Sequence, residues 1–225
     1  MTIKILGICG SPRDGNTLAM LKNALEVVNE MPDAESSLIT LKGKIGPCVD
    51  CDKCPIDPPK KFCSISDKMD EIYPKLIEAD GIILGSPVYF GTVTSQTKAF
   101  MDRCRPLVRA GMLLRSKVGG AIAVGGIRHG GQEKTISAII DYFLLVGILP
   151  VGLQSTLEFG ACGVAWRAGK IKEDFWDFEF QDRKMTAFEE ARELGKLVAM
   201  WTKVVKAGLK VFDPRVALDS FKITR

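Results

Sequence analysis

Five short apolar runs punctuate the chain, at 3–9, 37–41, 81–85, 118–124 and 148–153. The first, third and fourth are apolar at nearly every position rather than at alternate ones. That is the pattern of a strand covered on both faces, as in a parallel sheet. Between the runs, apolar residues recur at helical spacing over 17–30, 67–79, 95–103 and 132–146. Asn16 or Thr17 can cap the first of these helices, and Asp67 followed by Asp70 resembles a cap for the second. Pro74 predicts a kink or an early stop in that second helix. A segment at 154–182, rich in glycine and aromatics, reads as irregular. Beyond it Phe188, Ala191, Leu194, Leu197, Val198, Trp201, Val204 and Val205 mark a long amphipathic helix that covers one sheet face.

The strand–helix alternation implies right-handed crossovers and an open, doubly wound α/β sheet. In such a sheet every loop that follows a strand lies on one rim, and ligands bind there, where the strand order reverses. The expected organisation is one domain over 1–207, with a loop at 43–66 inserted after the second strand. A tail at 208–225 mixes apolar and charged residues.

Composition narrows the class. A chain of 225 residues with 46% hydrophobic and 26% charged residues has enough apolar surface for one large core, so it is not a disordered or fibrous chain. A net charge of +4 falls short of the basic stripe of a nucleic-acid binder. The longest apolar stretch, 142–153, is too short for the roughly 20 residues of a membrane span. The first residues read as a buried strand rather than a signal peptide. Seven cysteines without a secretory address point to reduced thiols and a cytoplasmic protein.

Three loops carry candidate chemistry on the rim. After the first strand comes Gly10-Ser11-Pro12-Arg13-Asp14-Gly15-Asn16-Thr17-Leu18. It offers hydroxyls, a guanidinium and an amide at a helix N-terminus, where unpaired N–H groups favour an anion. Gly10 and Gly15 fit the outline of a nucleotide-triphosphate loop, but Asn16 stands where that loop needs lysine, and the dinucleotide glycine fingerprint is missing. A terminal monophosphate, as on FMN, remains. The candidates here are Ser11, Arg13, Asn16, Thr17 and Leu18. After the third strand, Pro87, Val88, Tyr89, Phe90 and Gly91 can flank a flat apolar ring. After the fourth, Gly125, Gly126, His129 and Gly130 let the backbone approach a ligand closely. His129, the only histidine, either assists proton transfer or is a solvent-facing loop residue or a ring that merely touches the ligand.

Together these motifs resemble the NADPH-dependent FMN reductase group of flavodoxin-like proteins. The resemblance rests on Gly10 to Arg13 with Gly15 to Thr17, on Ser86 to Tyr89, and on Gly130 to Glu133. It implies a flavodoxin-like fold, FMN phosphate on the first loop and the isoalloxazine held by the other two.

Four of the seven cysteines cluster. Cys48, Cys51 and Cys54 are each separated by two intervening residues, and Cys63 follows after eight more. Thiolates so spaced converge on one centre, either an iron–sulfur cluster or zinc. Pro55, Pro58 and Pro59 stiffen the segment, and Lys53, Lys60 and Lys61 offset its negative charge. The compact run is closer to the ferredoxin pattern than to paired zinc ligands, which favours [4Fe-4S]. Cys9, Cys104 and Cys162 lack ligand spacing and read as structural.

The run also resembles the iron–sulfur flavoprotein family, whose final gap is four to seven residues against eight here. That resemblance implies metal ligands Cys48, Cys51, Cys54 and Cys63. It also implies a homodimer or homotetramer in which the cluster of one subunit lies near FMN of another. The expected protein takes electrons from a donor such as a ferredoxin or NAD(P)H through cluster and FMN to a small acceptor, with no catalytic side chain. Two other readings stay open: an NAD(P)H-dependent FMN or quinone reductase without a cluster, and a flavodoxin-like zinc-binding interaction module.

Overall fold

A computed structural model describes residues 1–43, 45–56, 61–127, 129–165 and 186–212. In chain order the elements are β1 (Ile3–Cys9), α1 (Asn16–Asn29), β2 (Ala34–Thr40), α2 (Met69–Glu78), β3 (Gly81–Pro87) and α3 (Ser95–Asp102). There follow α4 (Arg105–Arg109), β4 (Val118–Gly125), α5 (Gln132–Leu145), β5 (Leu149–Pro150), β6 (Ala161–Val164) and α6 (Ala187–Gly208).

The strands form a parallel sheet in the order β2-β1-β3-β4-β5, the doubly wound arrangement with a switch point between β1 and β3. β1 pairs with β2 from Ile3 opposite Ala34 to Cys9 opposite Thr40, and with β3 from Ile5 opposite Gly81. The fifth position across the sheet is shared by two pieces. β5 pairs with Val118 and Gly119 of β4, and β6 pairs with Ile122 through Gly125. The expected fifth strand at 148–153 is therefore two residues long. The chain leaves the ladder after Val151, whose N–H donates to Gly119 O at 2.8 Å, and returns at Ala161. β6 lies inside the segment read as irregular, and four residues are too few to show a period of two.

Both faces of the sheet are covered. Tyr73, Leu76, Leu84, Phe100, Phe143 and their neighbours fill the face under α2, α3 and α5. Met20, Leu21, Ala24, Leu194 and Val198 fill the face under α1 and α6. Each such side chain contributes about 1.5–3 kcal/mol on burial. α6 starts on a capping box. The Thr186 hydroxyl accepts from the Glu189 N–H at 3.3 Å, and the Glu189 carboxylate accepts from the Thr186 N–H at 2.6 Å.

Three local expectations change. α1 begins at Asn16 with Gly15 as its cap residue and no side-chain cap hydrogen bond, so neither Asn16 nor Thr17 caps it. Asp67 lies one residue before the cap position of α2, where its Oδ1 accepts from the Met69 N–H at 2.9 Å. α2 runs through Pro74 without stopping. Of the segment at 154–182, residues 166–182 lie outside the described residues, as do Lys60, Pro58, Pro59 and most of the tail at 208–225.

Candidate functional site

A cleft of about 170 Å³ opens on the rim above β1, β3 and β4. It is lined by Ser11, Arg13, Asn16 and Thr17 from the first loop, Pro87, Val88 and Tyr89 from the second, and Gly125 and Gly126 from the third. Those nine expected residues thus come together. Gly15, Val124 and Ala165 line the cleft as well, and the candidate residues above do not include them. Val124 is the last apolar residue of a buried strand and gives no local signal. Ala165 follows β6, which sequence reading missed.

Five expected residues do not line the cleft. Leu18 packs beside the core under α1 and α6. Phe90 and Gly91 form the tip of a two-residue turn, with φ of +48° and +81°, closed by Tyr89 N–H to Thr92 O at 2.9 Å. A phenylalanine in the left-handed region costs about 1–2 kcal/mol, and here the ring stands fully exposed. His129 also has positive φ and lies exposed, its Nδ1 3.8 Å from the Glu133 carboxylate. Gly130 sits beneath Ile127.

A buried hydroxyl network fixes the two walls. The Thr94 hydroxyl donates to Gly10 O at 2.7 Å and accepts the Thr97 N–H at 3.2 Å, capping α3. The Ser86 hydroxyl accepts from the Thr94 N–H at 3.1 Å and donates to Pro87 O at 2.9 Å. A Cβ on Gly10 would meet the Thr97 hydroxyl at 1.9 Å, so only glycine permits this approach. Ser11 closes the first loop, donating to Arg13 O at 2.6 Å and accepting the Arg13 N–H at 3.2 Å. Thr94 and Thr97 were missed, although a Thr-x-x-Thr at a helix start is a recognisable cap. The site fits a phosphate ester: the N-terminus of α1 carries no side-chain cap and opens onto hydroxyls and a guanidinium.

The cysteine loop leaves the same rim, where Lys42 pairs with Asp14 at 2.8 Å, but its thiols dock elsewhere. Cys48, Cys51, Cys54 and Cys63 line one small cavity with Asp102, Arg103, Arg105 and Pro106. These are the far end of α3 and the start of α4. Eight helical residues, about 12 Å at 1.5 Å each, separate that end from the Thr94–Gly10 contact.

Arginines hold the loop. Arg103, 1% exposed, forms a bidentate pair with Asp67 at 2.8 and 3.1 Å and donates to Gly46 O at 3.0 Å and Ile65 O at 3.3 Å. Arg105 reaches Asp50 at 2.6 Å and Asp52 at 3.2 Å, and Arg109 reaches Asp52 at 2.5 Å. Asp50 and Asp52 both have positive φ, so these pairs fix the turns on either side of Cys51. Phe62 stacks at 5.3 Å on Tyr73, whose hydroxyl donates to Arg103 O at 2.7 Å. Compensating charge near the thiols comes from Arg105 and Arg109, which act on Cys54, from Arg103 in the same lining, and from Lys53, which acts on Cys51 as expected. Of the lysines expected in that role, Lys61 donates to the Ser66 hydroxyl. α4 was not expected, because five residues are too short for a periodic signal.

The thiols differ in environment. A hydrogen bond with the Ser64 hydroxyl, then the Lys53 N–H, lowers the Cys51 thiol. Burial raises Cys54 against the pull of Arg105. For Asp67, burial pushes upward but the Arg103, Gly46 and Met69 donors win and hold it low. Among the described residues no three His, Cys, Asp or Glu side chains stand close enough to hold a metal ion as placed. The chemistry of the donor set nonetheless fits a cluster: four cysteines line one cavity beside fixed cations, and Arg103 Nε is a buried donor with no partner. Cys9, Cys104 and Cys162 are buried away from this cavity, and burial raises each thiol, Cys104 to about 12.

Residues 3–161 match the family model for NADPH-dependent FMN reductase. The chain belongs to this family, in its iron–sulfur flavoprotein branch, and is a flavin-dependent oxidoreductase. It is 44% identical over 207 residues to an iron–sulfur flavoprotein of Methanocaldococcus jannaschii, covering 91% of this chain and all of the relative. One from Archaeoglobus fulgidus is 40% identical, covering 90% of this chain and 97% of that one. The flavodoxin-like fold is shared with a WrbA-like protein from Agrobacterium tumefaciens at a TM-score of 0.60 and 17% identity, covering 91% and 99% of the two chains. Among the described residues no helix is long and apolar enough to cross a membrane.

Proposed function

We propose that the protein carries FMN on the rim and a [4Fe-4S] cluster on Cys48, Cys51, Cys54 and Cys63. It relays electrons from a donor such as a ferredoxin, or NAD(P)H, to a small acceptor. When bound, the cluster handles one electron at a time and the flavin two, and that chemistry belongs to the cofactors. The chain binds and positions. Ser11, Arg13, Asn16 and Thr17 hold the terminal phosphate at the N-terminus of α1. Pro87, Val88 and Tyr89 would flank the ring and Gly125 and Gly126 would meet its polar edge, while Phe90, Gly91, His129 and Gly130, outside the cleft, would reach only the part of the ring that projects beyond it. A cleft of about 170 Å³ would hold the phosphate and the start of the ribityl chain, and the exposed Tyr89 at its edge would be available to the ring.

The observation that supports the reading is that all four cysteines line one cavity braced by three arginines. The family resemblance implies a relay between copies, cluster of one to FMN of the next, in a homodimer or homotetramer, and the placing of that cavity at the far end of α3 from the cleft supports it. Protein purified without oxygen should hold about four iron and four sulfide per chain together with FMN. Cys51→Ala should lose the iron and sulfide and keep FMN. Flavin without iron in the unaltered protein contradicts the cluster and favours an NAD(P)H-dependent reductase.

A further inference from the structure

Arg103 is the largest fully buried side chain among the described residues, and it borders the cysteine cavity. Its two terminal nitrogens are spent on Asp67, Gly46 O and Ile65 O. Its Nε is one of four buried polar side-chain atoms, among the described residues, without a hydrogen-bond partner. An unpaired N–H of a charged group costs several kcal/mol in a dry interior unless something accepts it. Arg103 shares the lining of this cavity with Cys48, Cys51, Cys54 and Cys63, whose sulfurs are acceptors.

We infer that Arg103 is a positioning residue for the cluster, its Nε–H donating to a cluster sulfur while its fixed charge sets the cluster's reduction potential. The inference rests on the cluster reading above. One electron from the donor adds one negative charge to the tetrathiolate centre. A buried guanidinium that cannot move away stabilises the more negative form, so Arg103 holds the potential up. Net charge and hydrogen bonds to sulfur are two of the levers that place such clusters on the potential scale. The pair with Asp67 keeps the guanidinium in place: the carboxylate grips the terminal nitrogens and leaves Nε for the cavity.

The sign separates this role from scaffolding. A loosened loop admits water, which stabilises the more charged form and raises the potential, whereas losing the cation lowers it. Because Arg103→Gln alone strands the buried Asp67 carboxylate, the decisive pair is Asp67→Asn against Asp67→Asn with Arg103→Gln. The second replaces both charges by amides of similar size. Anaerobic spectroelectrochemistry on the FMN-loaded protein gives the cluster midpoint, with iron and sulfide counted in the same samples.

The double variant should show a reduction equilibrium constant about tenfold below that of Asp67→Asn, about 59 mV for one electron. In the Asp67→Asn background, Arg103→Lys, which keeps a charge without the planar N–H, should fall between Asp67→Asn and the double variant. Equal potentials in the two Asp67 variants with full clusters overturn the inference and leave the cluster reading standing. Loss of the cluster from the double variant with FMN retained also overturns it, reducing Arg103 to a brace. Wild-type protein without iron and sulfide overturns the cluster reading and this inference with it.

Discussion

Glu190 offers a stability test that needs no cofactor chemistry. It lies on the buried side of α6, 2% exposed, and its Oε2 accepts the Cys162 N–H of β6 at 3.0 Å. Burial raises its carboxyl from the ordinary 4.5 to about 8; the Cys162 N–H opposes the rise, and Glu158 and Glu193 add to it. Folding therefore takes up one proton between pH 4.5 and 8. Across that window the unfolded chain binds fewer protons than the folded one, so stability falls as pH rises. The contribution is complete below about 4.5 and gone above about 8. At about 1.4 kcal/mol per pH unit, the loss between pH 5 and 7.5 is about 3 kcal/mol. That is a large part of the 5–15 kcal/mol typical of a domain. Glu190→Gln keeps the volume and an oxygen for the Cys162 N–H but carries no titrating proton. Urea unfolding of both proteins at pH 5, 6, 7 and 7.5 should show the wild-type stability dropping relative to the variant by about 3 kcal/mol. Parallel pH profiles, differing by a constant, would refute the reasoning.

Two further substitutions probe the rim. Thr94→Val removes the donor to Gly10 O and the cap of α3, which should cost about 2–3 kcal/mol in thermal or urea unfolding and weaken FMN binding in a fluorescence titration. Gly131→Ala places a Cβ at φ +108°, 2.8 Å from Gly91 Cα. It should destabilise by about 1–2 kcal/mol and reduce FMN affinity about tenfold by shifting two cleft walls against each other.

The sequence already displayed most of the fold because three of its strands, β1, β3 and β4, are buried on both faces and read as nearly unbroken apolar runs. The division of the fifth strand was illegible. Leu149 and Pro150 look continuous with Val151 to Leu153, and nothing local shows that the chain steps out and that Ala161 to Val164 steps in. The rim residues were legible where their chemistry is unusual for a loop, as in Ser11-Pro12-Arg13 and Gly125-Gly126. They were not where an ordinary residue is brought in from a distance, as with Ala165. The cysteines announced their shared cavity by spacing alone. What braces them did not: Arg103 is 36 residues from Asp67, and only the packing of α3 against the loop makes that pair.

The most direct test of the relay is rapid anaerobic mixing of a reduced one-electron donor with wild-type protein and with Cys51→Ala protein loaded with FMN. The account predicts bleaching near 400 nm before flavin reduction in the wild type, and flavin reduction slowed at least tenfold in the variant. Flavin reduced equally fast in both would mean that electrons reach FMN without passing the thiol-lined cavity.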